Sequence, residues 1–216
     1  PYDLDTLMHD LPHLLADNPR LQWFWTPYTP NATLVLRTPT DAPITGCWDQ
    51  ALDLETGLSA GTSCVDVSYK TMTGSRDHYF TRSLYTEMEM FVPSAELPRA
   101  ISDFRSFQAS VVKKHSPGVK LFTGVRYVEA DDSWMSPQYK RSNAVISMIV
   151  TGDLTKTGAP DEFSMYGHGL EEIAVGKYDG RPHWGKMNYA TAEDISRSYP
   201  KFEDFTELRS RLDPQG

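Results

Sequence analysis

The sequence predicts an α+β fold: a mixed or mainly antiparallel sheet with helices packed on one face. Three observations predict it. Stretches that alternate apolar and polar residues, at 21–28, 84–92 and 119–128, read as half-buried strands. Stretches with apolar residues three and four apart, at 3–16 and 97–111, read as amphipathic helices. Strands that follow each other after only a short turn imply antiparallel pairing rather than the long crossovers that parallel strands need.

Asp3 or Asp5 can cap the first helix, whose apolar face is Leu4, Leu7, Met8, Leu11, Leu14 and Leu15, and Asn18-Pro19 ends it. Leu21 to Tyr28 then places Trp23 and Trp25 on one side and Phe24 and Tyr28 on the other. Pro27 and Pro30 turn the chain into a second strand from Ala32 to Arg37, and the four aromatics read as core and sheet surface. From Pro39 to His78 the apolar periodicity disappears among Thr, Gly, Asp and Pro, so this stretch reads as a long surface insertion without elements of its own.

Order returns at Leu84 to Val92, where Tyr85, Glu87, Glu89 and Phe91 share one strand face. Two carboxylates therefore point the same way: either they are solvated, or one meets a cation or a substrate hydroxyl. Leu97, Ile101, Phe104, Gln108 and Val111 mark a helix ending near His115, whose place at a helix C-terminus the dipole accounts for. Val119 to Val128 puts Phe122, Gly124, Arg126 and Val128 on one face. An arginine among apolar strand residues needs either an exposed position or an anionic partner. A glycine next to it leaves room for something to approach.

The acidic Glu129-Ala130-Asp131-Asp132 opens a loop that reads as solvated, not as a metal site. Ala144 to Thr151, interrupted by Ser147, is the most buried-looking strand, and Gly152 to Pro160 reads as a polar turn. Phe163 to Val175 is helical, Thr191 and Asp194 have capping-box spacing for a short helix, and Phe202, Phe205, Leu208 and Leu212 mark a last one. Between these helices lies Arg181-Pro182-His183-Trp184-Gly185-Lys186, which gathers two cations, an imidazole and an indole into a segment shaped by Pro182 and Gly185.

Composition excludes several functions. The chain has 216 residues with 21 basic and 29 acidic, a formal charge of -8, and nothing resembling the basic face a polyanion such as nucleic acid requires. No apolar run approaches the roughly 20 residues a membrane-spanning helix needs. Pro1 opens no signal peptide, and the expectation is that the chain starts inside a longer protein. Cys47 and Cys64 form no metal-ligand pattern, and free thiols are expected ahead of a disulfide. Gly57 to Gly61 spells GxSxG without the strand and helix of a nucleophile elbow. Gly180 to Lys186 spells GxxxxGK, but Met187 replaces the hydroxyl residue of a phosphate loop and Pro182 removes a backbone donor.

Several spaced motifs occur together and in order: Tyr85-Thr86-Glu87-Met88-Glu89 with Val92-Pro93; Val125-Arg126-Tyr127 with Ala130-Asp131-Asp132 and Ser136-Pro137; and Gly180 to Lys186 with Tyr199-Pro200, Phe202, Phe205, Leu208-Arg209 and Leu212-Asp213-Pro214. In these the chain resembles the substrate, or cap, domain of the sugar-lactone oxidases, the L-gulonolactone and D-arabinono-lactone oxidase family. The likeness extends weakly through the aromatic hairpin and leaves out the insertion at 39–78. It implies a single cap domain over 1–216 and a flavoenzyme of the vanillyl-alcohol-oxidase type. FAD would be held mainly by a separate N-terminal domain, so a flavin-binding domain or chain is the implied partner. The implied substrate is a small sugar lactone or polyol, and the implied setting membrane-associated, mitochondrial or microsomal.

The same resemblance makes Lys186 and Arg126 the catalytic cations. Oxidising a CH–OH by hydride transfer requires loss of the hydroxyl proton and stabilisation of charge growing on the reduced ring. Lys186 would neutralise that charge, or act as a base if desolvation lowers its pKa, and with Trp184 would face the cofactor. Arg126 would orient the substrate oxygen. His183, Glu87 and Glu89 are the expected substrate-binding residues, His183 alternatively positioning Trp184 or being structural. One departure stands out: the family commonly carries glutamate two residues before the arginine, where this chain has Gly124. That leaves open a non-catalytic interaction module that keeps the cap fold, with a plain carbohydrate-binding domain more distant.

Overall fold

A computed structural model describes residues 2–18, 20–26, 29–46, 63–73, 85–111, 120–151 and 159–215. The expectations for Tyr28, His115, Cys47 and the GxSxG stretch fall outside the described residues. In chain order the elements are β1 (Tyr2–Asp3), α1 (Leu4–Asp17), β2 (Gln22–Trp25), β3 (Asn31–Val35), α2 (Ser68–Thr73), β4 (Tyr85–Pro93), α3 (Leu97–Val111), β5 (Lys120–Val128), β6 (Asn143–Thr151), α4 (Ala159–Tyr178), β7 (Arg181–Pro182), α5 (Ala192–Ser198) and α6 (Phe202–Leu212). The strands form one sheet in the order β1-β3-β2-β5-β6-β4-β7, each ladder antiparallel. The fold is therefore α+β, as the alternating and helical stretches predict.

Local sequence explains the boundaries. Asp3 caps α1, its side chain accepting the Thr6 N–H, and Thr191 and Asp194 complete the capping box of α5. Helix α4 starts at Ala159, inside the stretch expected to be a polar turn, and its end is closed by a hydrogen bond from Gly180 N–H back to Ala174 O, six residues earlier, at 2.8 Å. The left-handed residue there is Asp179 (φ 51°), and Arg141 holds it by donating to its carboxylate at 2.7 Å and its carbonyl at 2.6 Å. Gly180 is required for space: a Cβ would sit 2.7 Å from the Ala174 carbonyl. This tight stop delivers the chain into β7.

The core lies on one face of the sheet. Leu4, Leu7 and Leu11 of α1, Ile101 and Phe104 of α3, and Tyr166 and Leu170 of α4 join Trp23, Met88, Met90, Val125, Ile146 and Met148 in a single buried cluster. Those sheet residues alternate with a second set, Phe24, Glu87, Glu89, Phe91, Gly124, Arg126 and Ser147, which points to the opposite face. None of that second set belongs to the core cluster. No residue of α5 or α6 belongs to it either, so among the described residues α1, α3 and α4 build the helical layer over the core, while α5 meets the opposite face at its margin, where Arg181, paired with Phe91, donates to the Ser198 carbonyl.

Two further expectations need correction. The stretch at 39–78 contains an element, α2, held to the hairpin by Arg37, which donates to the Thr71 carbonyl at 3.1 Å and the Gln22 amide oxygen at 2.8 Å. Low apolar periodicity hid it because so short a helix shows less than two turns of pattern. Cys64 is disulfide-bonded, where a free thiol was expected; the only other cysteine in the sequence is Cys47. Spacing carries no information on such a pairing, which depends on how the chain folds back.

Candidate active site

Rows of side chains cross the face turned away from the core helices. In one, Phe24, Gly124, Ser147 and Glu89 lie side by side on β2, β5, β6 and β4; in the next, Gln22, Arg126, Val145 and Phe91. Arg126 thus sits one row from Glu89 across β6, close enough to reach it diagonally. Its Nη2 donates to Glu89 Oε2 at 2.7 Å, and the Ser147 hydroxyl donates to Oε1 at 2.8 Å. Glu89 is only 5% exposed, so the two donors compensate a carboxylate that burial alone would neutralise. Burial pushes its pKa up, but the Arg126 charge, the Ser147 and Arg126 hydrogen bonds and nearby His183 outweigh it, and the net shift is downward.

The loop after β7 closes over this row. His183 N–H donates to the Glu89 carbonyl at 3.0 Å and Met187 N–H to the Glu87 carbonyl at 3.3 Å, with a bridge between Met88 and Met187. The same two β4 residues therefore hold the loop through their carbonyls and cations through their side chains. Lys186 forms an ion pair with Glu87. Burial pulls the Lys186 pKa down, but its hydrogen bond to Glu87 and the charges of Glu87 and Glu89 raise it net, so the side chain is held as an ammonium. That pairing runs against the alternative in which desolvation turns Lys186 into a base. His183 Nδ1 accepts the Gly185 N–H at 3.0 Å, which leaves the hydrogen of a neutral ring on Nε2, 3.7 Å from Glu89 Oε2.

Arg126, His183 and Trp184 line a cleft of about 250 Å³. Phe91, Val128, Pro137 and Gln138 complete its wall. The Arg126 guanidinium lies 5.9 Å from the Phe91 ring centroid and the His183 ring 6.0 Å from it. Trp184 is half exposed, with its indole N–H donating to the Met135 carbonyl at 2.7 Å. The cleft lies at the small end of ligand sites, where drug-sized molecules occupy roughly 300–1,000 Å³. Two hydrogen-bond donors beside apolar walls suit a small molecule with oxygen acceptors at one end.

Of the expected site residues, the structure brings Arg126, His183 and Trp184 to the cleft wall and Glu89 against both Arg126 and His183. Lys186 and Glu87 form a separate pair, two residues along β4, and neither lines the cleft. Arg181, the other cation of the loop motif, is structural. It is 3% exposed and donates Nε to the Ser198 carbonyl at 2.7 Å and Nη1 to the Pro137 and Tyr139 carbonyls at 3.0 Å each. Burial, then the neighbouring Arg141, lowers its pKa to about 10. Sequence reasoning missed Ser147 and Gln138 as members of the site. Their signals were a hydroxyl breaking an apolar strand and a polar residue directly after Ser136-Pro137. The room expected beside Gly124 is taken by an aromatic ring, since a Cβ there would lie 3.2 Å from Phe24 Cε1.

Among the described residues no helix is long and apolar enough to cross a membrane. A family model described as D-arabinono-1,4-lactone oxidase matches residues 54–216, taking in part of the stretch that the sequence-level likeness left out. The chain is 30% identical over 161 residues to the L-gulono-1,4-lactone dehydrogenase of Mycobacterium tuberculosis, across 74% of this chain and 34% of that protein. It is 26% identical over 239 residues to the L-gulonolactone oxidase of Scyliorhinus torazame, across 100% of this chain and 53% of that protein. An alditol oxidase from a Streptomyces species is 34% identical over 92 residues, 43% of this chain and 20% of that protein. The chain spans about a third of the length of the first of these relatives and about half of the second.

Proposed function

The chain belongs to the D-arabinono-1,4-lactone oxidase family, and on that footing we propose that it is the substrate-binding half of an FAD-dependent oxidase or dehydrogenase acting on a sugar lactone or alditol. The observation that carries this reading is the pairing of Arg126 with Glu89 at a small cleft on the face turned away from the core helices. The residues present fit a flavin near that face: Lys186 is held as an ammonium, and Trp184, two residues before it in the chain, is half exposed. Lys186 and Trp184 are the residues that would face the cofactor, which when bound supplies a hydride acceptor.

Each side chain then has a task. Arg126, kept in place by Glu89, directs a fixed donor fork at the substrate oxygen and stabilises the negative charge that grows there as the hydroxyl proton passes to water on the open side of the cleft. His183 presents Nε2–H beside it as a second donor. Lys186 would place positive charge beside a bound flavin, with Glu87 holding the ammonium in position. Phe91, Val128 and Trp184 exclude water from one side of the substrate, which strengthens each of these contacts. Glu87 and Glu89 act on substrate through the cations they hold.

Gly124 argues for a non-catalytic module only if Arg126 lacks a carboxylate partner, and Glu89 provides one from β4. The test uses the full-length protein with its flavin. Anaerobic addition of L-gulono-1,4-lactone, D-arabinono-1,4-lactone or xylitol should bleach the flavin spectrum, and Lys186→Ala should slow bleaching by roughly 100-fold. A Lys186→Ala protein as fast as the parent would sink the role given to Lys186, and a parent that no lactone or alditol reduces would sink the oxidoreductase reading.

A further inference from the structure

We propose that Gln138 is a specificity-determining residue of the cleft, its carboxamide reading a substrate hydroxyl remote from the reacting carbon; the proposal rests on the oxidoreductase reading above. Gln138 lies on the loop between β5 and β6, and that loop is pinned on both sides of it. Arg181 Nη1 donates to the carbonyls of Pro137 and Tyr139, the residues immediately before and after. Asn143 Nδ2 donates to the Pro137 carbonyl at 3.0 Å, and the Trp184 indole fixes Met135. The backbone of Gln138 is itself satisfied: its carbonyl accepts from Asp131 N–H at 3.1 Å and Arg141 N–H at 3.2 Å, and its N–H meets Ser136 Oγ at 3.4 Å.

What Gln138 has left to offer the cleft is its side chain, for which no partner exists among the described residues. A carboxamide provides two donors and one acceptor. The other polar side chains of the cleft wall are donors: Arg126 has no acceptor at all, His183 Nδ1 is already occupied by Gly185, and the Trp184 N–H is committed to Met135. Gln138 therefore supplies the acceptor that the wall otherwise lacks, and a hydroxyl, which donates and accepts at once, is the group that matches it. A ligand that fits has an oxygen for Arg126 and His183 at one end and a free hydroxyl at the other. Its C–H faces would lie between the apolar walls. A small polyhydroxylated lactone or polyol has that layout, and a deoxy analogue does not.

Gln138 is half-buried at the cleft wall, and a carboxamide that a bound substrate covers discriminates against the molecule lacking the hydroxyl, because its polar atoms then lose water without gaining a partner. The measurement uses the flavin-loaded full-length protein with two probes, a hydroxylated sugar lactone and the same lactone lacking its side-chain hydroxyls. The parent should prefer the hydroxylated probe. Gln138→Leu should raise KM for that probe about 10-fold, leave the limiting rate of flavin reduction within about twofold, and remove most of the preference over the deoxy probe. Gln138→Glu, which keeps an acceptor in the same place, should retain more of the preference than Gln138→Leu. Calorimetric binding of both probes to parent and variants gives the same comparison without turnover. An active parent whose preference and KM are unchanged in Gln138→Leu overturns the role of Gln138 and leaves the oxidoreductase reading standing. A parent inert towards every lactone and alditol overturns both.

Discussion

Replacing Glu89 by glutamine tests the central contact of the site. Glutamine has the same shape and can turn its amide oxygen towards Arg126 and its amide N–H towards the Ser147 hydroxyl, which is able to accept. Every polar atom in the row stays paired, so the change removes charge and little else. A hydrogen bond to a charged group contributes about 1.5–3 kcal/mol and a neutral one about 0.5–1.5; the Ser147 contact at 2.8 Å passes from the first kind to the second, a difference of about 1 kcal/mol, while the Arg126 contact at 2.7 Å keeps its guanidinium charge and loses only its ion-pair part. The Arg126 side chain is 41% exposed, and solvent screening reduces its share. The expected loss for Glu89→Gln is therefore about 1–1.5 kcal/mol at pH 7, measured by urea denaturation.

The pH dependence makes the test sharper. The folded pKa of Glu89 lies below its ordinary value, so its contribution is fully present above the unfolded value of about 4.3 and is lost as pH falls through the lower folded value. Parent and Glu89→Gln should then differ by a constant amount from pH 8 to about 5 and converge in stronger acid. Equal stability at pH 7, or a gap that persists undiminished at pH 2, would refute the assignment of Arg126 and Ser147 as the groups that keep this carboxylate ionised.

Three other outcomes follow from the same geometry. Gly124→Ala should cost about 1 kcal/mol because the new methyl meets Phe24 Cε1 at 3.2 Å, and most of that cost should vanish in a Phe24→Ala background; strictly additive denaturation midpoints would show that the two do not compete for space. Arg181→Met should destabilise by about 3 kcal/mol on thermal or urea unfolding, since the Ser198, Pro137 and Tyr139 carbonyls all lose their donor. For Lys186, whose folded pKa is raised, the stability of its pair with Glu87 is fully present below the ordinary lysine value of about 10.4 and is lost only as pH rises through the higher folded one. Flavin reduction should accordingly show no Lys186-dependent decline up to about pH 10, and a fall between pH 7 and 9 that Lys186→Arg removes would contradict the pairing.

Elements with a strong local period were legible in the sequence. The apolar stripe of α1, the aromatic alternation of β2 and the capping box of α5 are each encoded within a few residues, and local rules suffice to find them. The site was legible as a roster but not as an arrangement. Arg126 announced that it needed an anion, and Glu87 and Glu89 announced that they shared a face, yet the partners are 37 and 99 residues apart along the chain. Which carboxylate meets which cation depends on β4 and β5 both pairing with β6 and on the register of those ladders, information no single stretch contains. Arg181 shows the converse error. Beside His183 and Lys186 it looked like chemistry, but a neighbour two residues away in the chain points elsewhere once β7 turns it inward, where it serves backbone carbonyls. Helix α2 stayed hidden because it is too short to repeat a pattern.

The loop from His183 to Met187 has a second consequence. Strand β4 pairs along its whole length with β6 on one side, but on the other it meets β7 only at Met90 and Phe91. The rest of that outer margin would offer unpaired carbonyls to any passing extended chain, the arrangement through which sheets join edge to edge. The backbone N–H groups of His183 and Met187 occupy the Glu89 and Glu87 carbonyls instead, so the segment that carries His183 and Lys186 also blunts the border of the sheet. An insertion or deletion between those two residues would disturb both at once: it would shift the imidazole and the ammonium, and it would reopen a template for strand addition. The length of this loop is thus constrained by solubility as well as by whatever reaction its side chains serve.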